Sequence, residues 1–200
     1  MECAGLGFRM HSGWGVLVAV SGDSHSVEIL DRKRIVVTDS GVAGANQPYH
    51  YAAGLKLSAS ESHIANCAAI SERLALAAIE EVVWELETRD YRIAGAALLL
   101  ASGRPLPSLS KILASHPLIH TAEGEFFRNS VRHACDRLKI SVEAIRERDV
   151  EEQVKAAFGN RASRVQHSVA AAGRSIGPPW NKDHKAAALA ALLLFRNSQL

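Results

Sequence analysis

Two hundred residues correspond to about one and a third domains of ordinary size, so one domain over 1–200 is expected, burying roughly 70% of its unfolded surface without a disulfide or metal staple. Hydrophobic residues make up 48% and charged residues 22%, which excludes a disordered, collagenous or membrane-spanning chain. Lys and Arg number 23 against 21 Asp and Glu, a formal net charge of +2, too even to attract nucleic acid through bulk electrostatics alone.

The chain opens in strand patterns. Cys3–Phe8 and Gly13–Val20 are short apolar runs, and Gly22-Asp23-Ser24 supplies a turn before the β-branched stretch Ser26–Asp39. Joints this short make hairpins, so the opening is antiparallel. Ser40–Gly54 holds Gly41, Gly44, Asn46 and Pro48 and reads as loop. From Ser60 the period changes: Ile70, Leu74, Ala78, Val82 and Leu86 recur at four-residue spacing, predicting a helix from a Ser60 cap to Asp90. Tyr91–Ala101 is apolar on both faces, as a central parallel strand requires. A short helix over Leu109–Ala114, a helix from Thr121 to about Lys139 and a strand over Ile140–Arg146 follow. Val150–Phe158 and Arg164–Ala172 are helical pieces. After the stiff Gly177-Pro178-Pro179-Trp180 segment, Asp183 is expected to cap a final Ala/Leu-rich helix. The strand–helix–strand unit implies a right-handed parallel crossover. The predicted fold class is therefore α/β, a five-stranded mixed sheet with helices on both faces.

This order, together with Gly13-Trp14-Gly15-Val16, resembles the ribonuclease H-like superfold, in particular its Holliday-junction resolvase branch, where a Gly-aromatic-Gly-Val run opens the second strand. The resemblance implies acidic residues at the end of the first strand, at the end of the fourth and at the start of the last helix, holding divalent metals that activate water. Gly5-Leu6-Gly7-Phe8 offers no acid, and neither does Ala101-Ser102-Gly103-Arg104. Asp183 alone has the right type and place, and one carboxylate cannot hold two Mg²⁺ ions.

Ligands of mixed α/β sheets bind beyond the carboxyl ends of the parallel strands. That edge should collect Arg9, His11 and Ser12 after the first strand, Ser102 and Arg104 after the fourth, and Lys182 before the last helix. Such groups suit a phosphate or carboxylate better than a metal, because a guanidinium grips either anion through two hydrogen bonds. The plainer alternative is that Arg9 and Arg104 are ordinary surface arginines. His116 and His120, with Glu123 nearby, form an H-x₃-H pair with metal-ligand spacing, although Pro117 argues against an uninterrupted turn between them. Tyr49 and Tyr51 serve either as a ligand cover or as loop anchors, the second being the simpler role.

Gly5-Leu6-Gly7 lacks the third glycine of a dinucleotide fingerprint and no phosphate-binding P-loop occurs, so no cofactor is expected. Cys3, Cys67 and Cys135 are dispersed, which fits free thiols in a reducing compartment. The early apolar run Val16–Val20 is shorter than the roughly 7–15 residues of a secretory signal, and Ala186–Phe195 falls short of the about 20 residues that cross a bilayer. A cytoplasmic location without membrane contact is the expectation. The first reading is a binding or regulatory module for a small anionic ligand, with nucleic acid the less supported partner. A metal-dependent nuclease or phosphotransferase using Asp183 and Glu123 is the second. A homodimer formed through Leu189 and Leu193 of the last helix is the third.

Overall fold

The computed structural model describes residues 1–22, 26–101 and 105–196. Strands β1 (Glu2–Met10), β2 (Trp14–Gly22) and β3 (Val27–Val36) form the antiparallel opening. Helices α1 (Pro48–Ala52) and α2 (Leu57–Thr88) lead to β4 (Tyr91–Leu100). Then come α3 (Leu109–Leu113), α4 (His116–Arg137) and β5 (Val142–Arg146). The chain closes with α5 (Val150–Phe158), α6 (Ala162–Ala171), α7 (Gly173–Ile176) and α8 (Lys182–Leu192). The sheet order is β3-β2-β1-β4-β5, with β4 parallel to both β1 and β5.

Side-chain alternation along the strands builds a core on each face. Leu6, Phe8, Leu17, Ala19, Leu98 and Leu100 face α2 and α4, where Ile79, Val82, Leu86, Phe127 and Val131 meet them. Val16, Val18, Val20, Ala97 and Leu99 point the other way, against Val154, Val165, Val169 and the alanine-rich side of α8. β4 is buried along its second half because it lies between two parallel neighbours with helices on both faces. None of the described helices is long and apolar enough to cross a membrane.

Several local expectations change. The segment read as loop contains α1, opened by Pro48 in its first turn, where a missing N–H costs nothing. Ser60 does not cap α2: Lys56 holds that position, and the buried Ser60 hydroxyl donates to the Ala52 and Lys56 carbonyls at 2.8 and 3.2 Å. Asp90 instead takes a left-handed φ of 66° directly after the helix. Pro117 sits at the start of α4 and leaves the turn intact, so His116 and His120 share one helix.

Two features fix α8 against the sheet. Gly7 is a close-approach site, since a Cβ there would lie 1.9 Å from the Ala187 carbonyl oxygen, so the helix backbone rests directly on β1. In addition, Arg32 of β3 reaches across to the segment preceding α8. Its guanidinium donates to the carbonyls of Ile176 at 3.1 Å and of Gly177 and Pro178 at 2.8 Å, and also to that of Pro179. Five donors on a rigid planar group suit this repeated carbonyl capture.

Candidate functional site

The carboxyl ends of β1, β4 and β5 meet the start of α8, and the charged residues there form a connected network. Arg9 on β1 donates to Glu147 Oε1 at 2.9 Å and to Asp183 Oδ1. His11 Nε2 lies 2.9 Å from Asp183 Oδ2 and 3.1 Å from Arg9 Nη1. Its ring stacks on Trp14 at 4.3 Å between centroids, and Arg34 lies 3.9 Å over the same indole. From α4, the buried Arg128 donates through Nε to the Leu99 carbonyl at 2.9 Å and pairs with Glu125 at 3.4 Å. Burial pushes the Arg128 guanidinium below its ordinary value, with Glu125 and Glu147 acting against that shift and Arg132 and Arg9 adding to it.

The strand end is therefore not a plain cationic groove. Arg9, expected to be free to grip an anion, has its guanidinium committed to two carboxylates. Glu147, which lies one residue past β5, is the partner that sequence reasoning missed; its place after the predicted strand Ile140–Arg146 was the available signal. Strands stand about 4.8 Å apart, so β5 lies about 10 Å from β1, and only a side chain as long as arginine spans that gap.

A cleft of about 710 Å³ opens beside this network, between the ends of β4 and β5 and the helices α5 and α8. Arg148, Lys182 and Lys185 line it, with Glu147 and Glu151 as the acidic members. Among the described residues neither lysine is paired with a carboxylate. Lys182 thus stands where expected, joined by Lys185 one helical turn further on. Ser12 is exposed on the other side of Trp14, in a separate recess with Arg34, Thr38 and Asn46. Ser102 and Arg104 lie outside the described residues. Asp183 is a partner of Arg9 and His11. The cap of α8 is Asn181, whose Oδ1 accepts from the Asp183 and His184 amides at 3.0 and 3.4 Å.

A second cluster stands apart from this edge. Glu123, 4% exposed, accepts at Oε1 from the Tyr49 and His50 amides at 2.8 and 3.0 Å, and lies 3.2 Å from His50 Nδ1. Burial raises its carboxyl above the ordinary range, against the lowering effect of these hydrogen bonds. His50, His116 and His120 converge here, one ligand atom of each lying within 4.8 Å of the others. His50 was not among the expected candidates, because its place in α1 brings it to α4 only through the tertiary fold. Tyr49 anchors its segment edge-on to Phe126, and Tyr51 leans on His63.

Strand order, the parallel β1–β4–β5 trio and the closing helix define the fold as ribonuclease H-like. Among solved structures, the chain is similar to Thermus thermophilus RuvC in complex with Holliday junction substrate, at a TM-score of 0.54 and 13% identity, covering 99% of this chain and 97% of that one. It is likewise similar to a second Thermus thermophilus RuvC structure, at a TM-score of 0.51 and 14% identity, covering 98% and 96%. At such identity the likeness is one of fold. No protein-family model and no curated protein matches the chain.

The divalent metals implied by the fold resemblance do not fit the residues present. Asp183 and Glu147 are bridged by the Arg9 guanidinium, and no carboxylate stands in the second half of β1 or anywhere in β4. A cation held by these acids would have to displace a guanidinium tied to the fold.

Proposed function

We propose that this ribonuclease H-like chain works as a binding module for a phosphate-bearing ligand, held in the cleft beside the strand ends. The observation that carries this reading is the separation of charge there. Arg9 pairs with both Glu147 and Asp183 and offsets one of their two charges, while Lys182 and Lys185 line the neighbouring cleft with no carboxylate partner among the described residues. Ammonium groups at a cleft mouth serve as point-charge donors to phosphate oxygens. Arg148 adds a guanidinium from the turn after β5. A nucleic-acid backbone is the first ligand to test, since the similar RuvC structure holds a Holliday junction substrate.

The test is fluorescence anisotropy with labelled four-way-junction and single-stranded DNA, alongside calorimetric titration with nucleotides and inorganic phosphate. Replacing both Lys182 and Lys185 by Ala should weaken binding by about 1.5–3 kcal/mol, the scale of charge-assisted hydrogen bonds, or roughly 10–100-fold, and should flatten the salt dependence for DNA. Absence of binding to every phosphate-bearing ligand, or unchanged affinity in the double variant, overturns the proposal.

A second reading is favoured by the convergence of Asp183 and Glu147 at the nuclease-like position: a phosphodiesterase with displaced acids. Cleavage of the same DNAs in Mn²⁺ or Mg²⁺, abolished by Asp183→Asn, would replace the binding-module reading. Glu123 is a poor acid for such a reaction, because its buried carboxylate is spent on the α1–α4 contact.

A further inference from the structure

We propose that His50, His116 and His120 form a site for one zinc-type transition-metal ion, independent of the strand-end cleft. His116 and His120 are one turn apart at the start of α4 and so project from the same side of that helix. Their ring centroids lie 4.4 Å apart, and His50 of α1 completes the triangle at 5.5 and 4.7 Å. The three ligand atoms fall within 4.8 Å of one another. Tetrahedral coordination at about 2.0–2.1 Å requires nitrogens roughly 3.3 Å apart, and rotation of the exposed His116 and His120 rings closes that difference.

The surroundings are those of a built site. Glu123 sits beneath the cluster, buried, with one carboxylate oxygen on His50 Nδ1 and on two backbone amides. A carboxylate accepting from Nδ1–H fixes the tautomer and turns Nε2 outward as the lone-pair donor, the arrangement that supports metal-ligating histidines. The other oxygen, Oε2, is buried and has no hydrogen-bond partner. Three imidazoles select Zn²⁺, Co²⁺ or Ni²⁺ over Mg²⁺ and Ca²⁺, which prefer oxygen. Three protein ligands leave a fourth position for water or an anion. The ion would tie the short helix α1 to α4.

The experiment uses the full, untagged chain stripped of metal with a chelator. Zinc titration should give one equivalent retained through gel filtration. Co²⁺ should give the visible absorption of a tetrahedral site, and millimolar Mg²⁺ should not compete. His116→Ala and His120→Ala change exposed positions and should leave the metal-free melting temperature unaltered while removing stoichiometric retention. Glu123→Gln should weaken binding by about 10–100-fold. No stoichiometric retention by the parent chain, or unchanged affinity in both histidine variants, overturns the site.

Discussion

Arg9 joins three elements through one side chain: β1, which carries it, the turn after β5 through Glu147, and the start of α8 through Asp183. The Arg9 and Asp183 side chains are 18% and 16% exposed, between the surface pairs that contribute little and the buried pairs whose rupture is severe. Arg9→Met keeps the aliphatic stem but takes the guanidinium from both Glu147 and Asp183, leaving Asp183 only its contact with His11. It should cost about 2 kcal/mol in urea denaturation, and a loss below about 0.5 kcal/mol would show the network to be surface decoration. Arg9→Lys keeps the charge but lacks the planar fork, so it should fall between the two. Arg9, His11, Lys182 and Asp183, all named from the sequence, lie together at this edge. Their pairing was not legible, because Arg9 and Glu147 are 138 positions apart and a side chain's reach across a sheet has no local signature.

At the scale of elements, α8 shows how a single helix is set by its approach. Arg32 holds the carbonyls before it, Asn181 caps it, and Trp180 donates through Nε1 to the Val169 carbonyl at 2.8 Å. His184 is buried in the first turn, with Nδ1 2.8 Å from Asn181 Oδ1. Burial lowers its ionisation below the ordinary 6.5, and nearby Arg32 lowers it further, against Asp183. The folded state thus takes up this proton less readily than the unfolded chain. The associated stability is present above pH 6.5 and is lost as the pH falls below it. Melting temperatures from pH 7 to 5 should therefore fall more steeply for the parent than for His184→Gln; parallel profiles would remove His184 from the acid response. Periodicity foretold this helix, but the sequence placed its cap at Asp183, because Asp is as good a cap by type as Asn and only the backbone distinguishes them. The same limit hid α1: five residues are too few to show a period.

At the scale of the molecule, β2 and β4 each send alternate residues into both cores, while β1 gives Ala4, Leu6 and Phe8 to one core and turns Gly5 and Gly7 towards α8. Neither core can lose its strands without exposing the other. Unfolding followed by tryptophan fluorescence and by far-ultraviolet circular dichroism should give coincident transitions; separated midpoints would show that the layers melt independently. Leu193 is fully buried and Leu189 packs at the edge of the α8-side core, so the face considered for a dimer is largely used within the chain. Fold class and the succession of elements along the chain were readable because strand runs and helical stripes alternate so plainly. The histidine triangle was only two-thirds readable, its third corner arriving from a segment 66 positions before His116. Finally, Gly7 lets the backbone of α8 touch β1, so the width of the charged crevice is set by an absent methyl group. Enlarging that residue would act as a wedge, levering Lys182 and Asp183 away from Arg9 and detuning the mouth of the crevice without altering any group that lines it.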